Sequence, residues 1–197
     1  MPAADDSDMV CFFWQPKYLL KTVIASDFPL PVLGFAAFSG SGKTSLLEKL
    51  IPVLRQQGLK LALIKHSHHD FEMDRPGKDS DRLRRAGAGQ ILLASRYRTA
   101  WIREGDGVTE PDLQELLGRL DVRGLDLVLV EGFRDEPIAK IEIHRPSLGK
   151  PLLCREDSHI VALAVDEAPH QEVAVPVLAL NDPASIADFV ISWLADR

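Results

Sequence analysis

Apolar positions along the chain fall into two alternating kinds of segment, short continuous runs and longer stretches with a helical period. The run Val32-Leu33-Gly34-Phe35-Ala36-Ala37-Phe38 has the character of a buried strand, and the helix expected after it carries Leu46, Leu47, Leu50, Ile51 and Leu54 on one face. Gly58 is placed to end that helix. Residues 59–65, 90–94 and 125–130 form three further runs, each short and apolar enough for a strand covered on both faces. Residues 138–143 alternate in polarity, which predicts an edge strand, and residues 160–165 and 175–180 predict two more strands.

Between these runs the period lengthens. A helix is expected over 80–86, and another opens near Thr109, a suitable N-cap, with Leu113, Leu116, Leu117 and Leu120 at helical spacing. A last helix begins at Asp182-Pro183 and presents Ile186, Phe189, Val190, Trp193 and Leu194 to the core. Strands alternating with helices in this way define an α/β class: a three-layer fold whose mostly parallel sheet is covered by helices on both faces.

Residues 1–30 stand apart from this pattern. They mix acids, aromatics and prolines without a sustained period and end in Pro29-Leu30-Pro31, so they form an extension to a domain spanning 31–197. Phe12, Phe13 and Trp14 suit packing on the domain or on a partner, and a partly disordered tail is an equal alternative.

Composition narrows the functional classes. The 197 residues are 46% hydrophobic and 26% charged, ordinary values for one well-developed core. A domain of this size buries roughly 70% of its unfolded surface and needs no disulfide or structural metal. Cys11 and Cys154 have no metal-ligand spacing and suit a reducing compartment. The formal charge of −6 argues against nucleic acid or an anionic membrane as the main partner. The N-terminus carries acids where an export signal would carry bases, and no apolar stretch is long enough to span a membrane; a cytoplasmic protein is expected.

The chemistry concentrates where strands should end. Ala37-Phe38-Ser39-Gly40-Ser41-Gly42-Lys43-Thr44 follows one expected strand and enters a helix, the setting a P-loop requires. Glycines allow successive backbone N–H groups to face phosphate oxygens, and the free N–H groups of the first helical turn add positive potential. Ser39, Gly40, Ser41, Gly42, Lys43, Thr44 and Ser45 are therefore the expected nucleotide-binding residues, with Lys43 reaching the β and γ oxygens and Thr44 ligating Mg²⁺. Ala37 occupies the position of the motif's first glycine, so the opening turn must either suit an L-residue or be strained.

Asp126-Leu127-Val128-Leu129-Val130-Glu131-Gly132 adds a second constellation. Glu131 falls at a strand's C-terminal end, where ligands of open α/β sheets gather, and is the expected second Mg²⁺ ligand and, with Lys43, the catalytic pair. Gly132 would let the backbone pass close to the γ-phosphate, and Asp126, at the strand's other end, is expected to be structural. No Asn-Lys-x-Asp string is present for guanine recognition; Asp166, which follows the 160–165 strand, is the candidate base acceptor, and Asn181-Asp182 is a second.

Residues 65–82 hold the densest set of functional side chains. His66, His68 and Asp70, with Lys65, Lys78 and Arg82, suit contact with the nucleotide or a second anionic substrate; a transition-metal site and a solvated polar loop are the alternatives. Arg82 and Arg85, three apart on a helix, form either an anion site or a solvated face. Residues 95–101 interleave bases with aromatics, which suits either ring stacking or an ordinary half-buried strand.

Taken together, Phe-Ser-Gly-Ser-Gly-Lys-Thr at 38–44, Ile-Lys-His-Ser-His-His-Asp-Phe at 64–71, Asp-Arg-Pro-Gly-Lys-Asp-Ser at 74–80, Arg-Ala-Gly-Ala at 85–88 and Leu-Val-Glu-Gly-Phe at 129–133 resemble the molybdopterin-guanine dinucleotide biosynthesis protein B family, MobB. The resemblance covers about residues 32–195, and the histidine loop joined to Pro-Gly-Lys-Asp-Ser is its specific part. It implies a P-loop NTPase fold and a homodimeric GTP-binding adapter with weak, Mg²⁺-dependent GTPase activity. It further implies partnership with the molybdopterin cofactor and with the nucleotidyltransferase that joins GMP to it, either in that step or in delivery of the product. A metal-delivery GTPase and an ATP-dependent small-molecule ligase or kinase remain the alternatives.

Overall fold

The computed structural model describes residues 28–67, 71, 75–169 and 171–197. The 1–27 part of the N-terminal extension, with Phe12, Phe13 and Trp14, lies outside them, as do His68 and Asp70.

Strands β1 (Val32–Ala36), β2 (Leu61–Lys65), β5 (Leu127–Glu131), β6 (Lys140–His144), β7 (Ile160–Val165) and β8 (Val177–Ala179) form one sheet in the order β2-β5-β1-β6-β7-β8. Every pairing in it is parallel. From β1 the chain passes to the edge strand β2, returns to β5 beside β1, and then crosses to β6, β7 and β8 on the other side, so the C-terminal ends of β5, β1 and β6 border a topological switch point.

Side-chain alternation divides the core. Leu33 and Phe35 of β1, Leu127 and Leu129 of β5, and Ile141 and Ile143 of β6 face α1 (Lys43–Gln56) and α4 (Pro183–Ala195), which contribute Leu46, Leu50, Ile186 and Val190 to the same cluster. Val32, Val128, Val130 and Ile64 face the opposite way, onto α3 (Leu113–Leu117), Phe133 and Ile138. The result is the three-layer fold, with helices on both faces of the parallel sheet. Phe28 and Leu30 pack against the second cluster, so the last residues before Pro31 already belong to the domain. The cap of α4 is as expected, Asp182 accepting from the N–H groups of Ala184 and Ser185.

Several expectations are corrected. The 138–143 segment is no edge: β6 lies between β1 and β7 with all five residues buried. Its alternating polarity arises because Lys140, Glu142 and His144 share one face and find their partners inside the protein. Lys140 Nζ donates to the carbonyls of Arg134 and Glu136 and pairs with Asp157, while Glu142 accepts from the N–H groups of Leu153 and Cys154. Conversely, the 59–65 run supplies an edge strand, β2, in which Ile64 is buried and Leu63 is 44% exposed.

The 90–94 strand lies outside the parallel sheet. Here β3 (Gln90–Ala94) pairs antiparallel with β4 (Thr99–Arg103), from Gln90 opposite Arg103 to Ala94 opposite Thr99. The physical reason is the connection: four residues closed by Ser95 N–H donating to the Arg98 carbonyl can reverse a chain but cannot carry a parallel crossover. Most of this hairpin is exposed, so the expected burial on both faces does not hold. Helix α2 (Asp79–Arg85) precedes it. At α3 the cap is Asp112, which accepts from Glu115 N–H at 2.8 Å; Thr109 is instead held by Asp106. Asp126 is structural as expected, accepting from Lys60 N–H.

Candidate functional site

The site forms where β1 ends and α1 begins. Gly40 and Gly42 have φ of +82° and +91°, a left-handed backbone that L side chains rarely adopt, and Gly42 is the N-cap of α1. With no side-chain cap there, the first-turn N–H groups of α1 are not engaged by a capping residue. Among the described residues Phe133 is the one non-glycine with positive φ, so Ala37 is unstrained. Alanine replaces the motif's first glycine at no conformational cost. Lys43 folds back over the loop, Nζ donating to the carbonyls of Ala37 at 3.1 Å and Phe38 at 3.4 Å. Partial burial lowers its pKa; Glu131 opposes this, while the charges of Lys65 and Arg134 reinforce it.

β5 delivers Glu131 to the same place. Its register sets Glu131 opposite Phe35 of β1 and Lys65 of β2, and its side chain is 8% exposed. Thr44 Oγ1 donates to Glu131 Oε1 at 2.7 Å, and Lys65 Nζ donates to Glu131 Oε2 at 3.0 Å and to Thr44 Oγ1 at 3.3 Å. The two expected Mg²⁺ ligands therefore touch. A hydroxyl and a carboxylate are hard oxygen donors that fit this ion, and Lys65 pairs with the same carboxylate.

Gly132, at φ +92°, lies against the loop that follows β2. A Cβ there would stand 2.7 Å from His66 Cβ, so glycine is what lets the two loops after β2 and β5 lie side by side. His66 N–H donates to the Glu131 carbonyl at 2.8 Å, its ring stacks on Phe133 at 4.8 Å, and Nε2 contacts Glu110 at 2.9 Å. Lys78 is the N-cap of α2, and Arg82 is an exposed residue of that helix, 3.9 Å from Asp79. Arg85 does not join Arg82: its Nε donates to Asp81, which also accepts from Gly77 N–H.

Asp166, directly after β7, is joined to the P-loop through a residue that sequence reasoning missed. Arg145, directly after β6, donates from Nε to the Ser41 carbonyl at 3.0 Å and from Nη1 to Asp166 Oδ2. Reading 138–143 as an edge strand concealed it; a basic residue ending an interior strand would have been recognised as part of the binding rim.

A parallel sheet, a glycine loop leading from β1 into α1, and a threonine–carboxylate pair between the start of α1 and the end of the neighbouring strand β5 define the P-loop NTPase fold. The family model for molybdopterin guanine dinucleotide synthesis protein B, MobB, matches residues 32–166. The chain is 48% identical over 172 residues to the molybdopterin-guanine dinucleotide biosynthesis adapter protein of Escherichia coli (strain K12), covering 87% of this chain and 97% of that one. Against the adapter protein of the same name from Haemophilus influenzae the identity is 42% over 177 residues, covering 89% and 96%. Among solved structures, that of a MobB protein homolog from Bacillus stearothermophilus aligns with a TM-score of 0.63 at 22% identity, covering 84% of this chain and 99% of the other, a likeness of fold. This chain belongs to the MobB family.

Proposed function

We propose that the protein binds GTP with Mg²⁺ and acts as an adapter in molybdopterin guanine dinucleotide biosynthesis, assisting GMP attachment or delivery of the finished cofactor. The observation that carries the nucleotide reading is the Thr44–Glu131 contact beside Lys43, at the mouth of a glycine loop. The adapter reading rests on family membership and on the names of the Escherichia coli and Haemophilus influenzae relatives.

In this reading the backbone of residues 39–45 wraps the phosphates, and Lys43 leaves the Ala37 and Phe38 carbonyls to meet the β and γ oxygens. Mg²⁺ would neutralise the triphosphate, held by Thr44 and, directly or through water, by Glu131. Lys65, released from Glu131, can then turn toward phosphate. Asp166 accepts from the base. His66, Lys78 and Arg82 would contact the pterin cofactor or the nucleotidyltransferase, and the same role is proposed for His68 and Asp70 from the sequence alone. Hydrolysis is slow: the Glu131 carboxylate is engaged by Thr44 and Lys65, and Arg145 is committed to Ser41 and Asp166, so neither serves as a base or an arginine finger.

A homodimer accords with the β3–β4 hairpin, where Leu92, Leu93 and Trp101 are exposed on a pair of strands with open edges. Among the described residues, no helix is long and apolar enough to cross a membrane. The adapter role is tested with purified components: the nucleotidyltransferase should bind this protein more tightly with a non-hydrolysable GTP analogue than with GDP. Equal binding of the unsubstituted protein in both states, or no binding in either, would contradict it, and Lys43→Ala should abolish the difference.

A further inference from the structure

Strand order places β6 between β1 and β7, so the first residue after β6 stands between the loop that holds phosphate and the residue after β7. That residue is Arg145. Its guanidinium spans the gap: Nε on the Ser41 carbonyl, Nη1 on Asp166 Oδ2, and Nη2 3.5 Å from where a Cβ on Gly42 would stand. Ser41 is buried, and the arginine donors form a rigid planar fork, so the positions of the P-loop and of the Asp166 carboxylate are set by one body.

Asp166 has acceptor capacity to spare. Its Oδ1 is buried and has no hydrogen-bond partner among the described residues, a costly condition for a carboxylate oxygen. The side chain keeps 18% of its surface exposed, so a small rotation of the carboxylate presents this oxygen at the rim. A base with an N–H and an amino group side by side, as in guanine, offers two donors to it, whereas adenine presents an acceptor at the corresponding ring nitrogen. The carboxylate also lies near a site for a highly charged anion, and the Arg145 cation offsets that repulsion.

We propose that Arg145 is a positioning residue: anchored on the P-loop through Ser41, it orients Asp166 so that the bound nucleotide's base is selected by its paired N–H donors. This inference rests on the GTP-site reading given above. Arg145 touches neither base nor phosphate in this arrangement; it acts through Asp166.

The test measures dissociation constants of GTP, ITP, ATP and inorganic tripolyphosphate, with Mg²⁺, for the full-length protein and for Arg145→Ala, Arg145→Lys, Asp166→Ala and the Arg145→Ala/Asp166→Ala double variant. Loss of an oriented charged hydrogen bond should cut the preference for GTP over ATP about tenfold in Arg145→Ala, with tripolyphosphate affinity changed less than about threefold. ITP, which lacks the amino group, should lose less than GTP. In the Asp166→Ala background, Arg145→Ala should have no further effect on the GTP-to-ATP ratio. Equal losses for tripolyphosphate and GTP, or additive losses of base preference in the double variant, would overturn the inference. Should Arg145→Ala fail to fold, Arg145→Lys decides: lysine keeps the charge but cannot bridge both partners, so an unchanged ratio would overturn it as well. GTP binding no tighter than ATP binding in the unsubstituted protein is a different failure, removing the GTP-site reading and this inference together.

Discussion

Thr44 and Glu131, 87 positions apart in the chain, meet in a 2.7 Å hydrogen bond at the junction of β1, β5 and α1. The threonine is placed by the second residue of α1 and the glutamate by the last residue of β5, two rigid elements of the same core. That rigidity is what a magnesium site needs, since its oxygen donors must stand in a fixed arrangement. Replacing Glu131 by Gln, or Thr44 by Val, should therefore weaken GTP binding by about ten- to a hundredfold in the presence of Mg²⁺. In EDTA the variants and the parent should bind alike. Titration calorimetry with and without the metal checks this, and an equal loss in both conditions would assign the pair a purely structural role.

Gly132 is required by geometry. Its φ of +92° and the 2.7 Å approach of His66 leave no room for a methyl group. Gly132→Ala should cost about 1–3 kcal/mol in denaturant unfolding, because the strain is both conformational and steric. The substitution should also reduce nucleotide affinity, since Glu131 is the preceding residue. A stability within a few tenths of a kcal/mol of the parent would show that the two loops are free to separate.

Lys140 is 1% exposed and is held by two carbonyls and Asp157. Lys140→Met should destabilise the protein by about 3–5 kcal/mol, because it leaves Asp157 and both carbonyls without their cation. Burial works against ionisation of Asp157, yet the Lys140 hydrogen bond, the His159 N–H and ring, and the Lys140 charge together hold its carboxyl below the ordinary value. A carboxyl whose folded pKa is depressed contributes stability above its unfolded pKa and loses that contribution as pH falls through the folded value. Unfolding curves between neutral and acid pH should thus fall less steeply for Asp157→Asn than for the parent.

Cys154 should be an unreactive thiol. Burial pushes its pKa up to about 11, with the Glu142 charge and hydrogen bond adding to the effect. In a Cys11→Ser protein, alkylation by iodoacetamide should be slow at neutral pH and accelerate only in strongly alkaline solution. Glu142→Gln should speed it.

Legibility in the sequence followed the range of the interactions. Gly40, Gly42, Lys43 and Thr44 could be read because the strand, the left-handed turns and the helix start lie within one short segment and each leaves a local residue preference. Glu131 could be read because an apolar strand ended on it. The position of β6 could not, because Lys140, Glu142 and His144 look solvent-facing until Asp157 and the Leu153 and Cys154 N–H groups are brought to them. Arg145 shares that limitation, its partners being Ser41 and Asp166. The 90–94 run looks buried on both faces by its apolarity alone, whereas its pairing is decided by the four-residue turn that follows it.

The central claim is that the loop around Lys43 is a guanine-nucleotide grip, and competition binding of GTP and ATP to the parent and to Lys43→Ala tests it most directly. Lys43 donates to two carbonyls and is only partly buried, so the variant should fold with a melting temperature close to the parent's. The account predicts that the parent binds GTP more tightly than ATP and that Lys43→Ala loses affinity for both by about ten- to a hundredfold, the worth of a charged hydrogen bond to phosphate. ATP binding as tight as GTP, or a folded Lys43→Ala variant with undiminished nucleotide affinity, would contradict it.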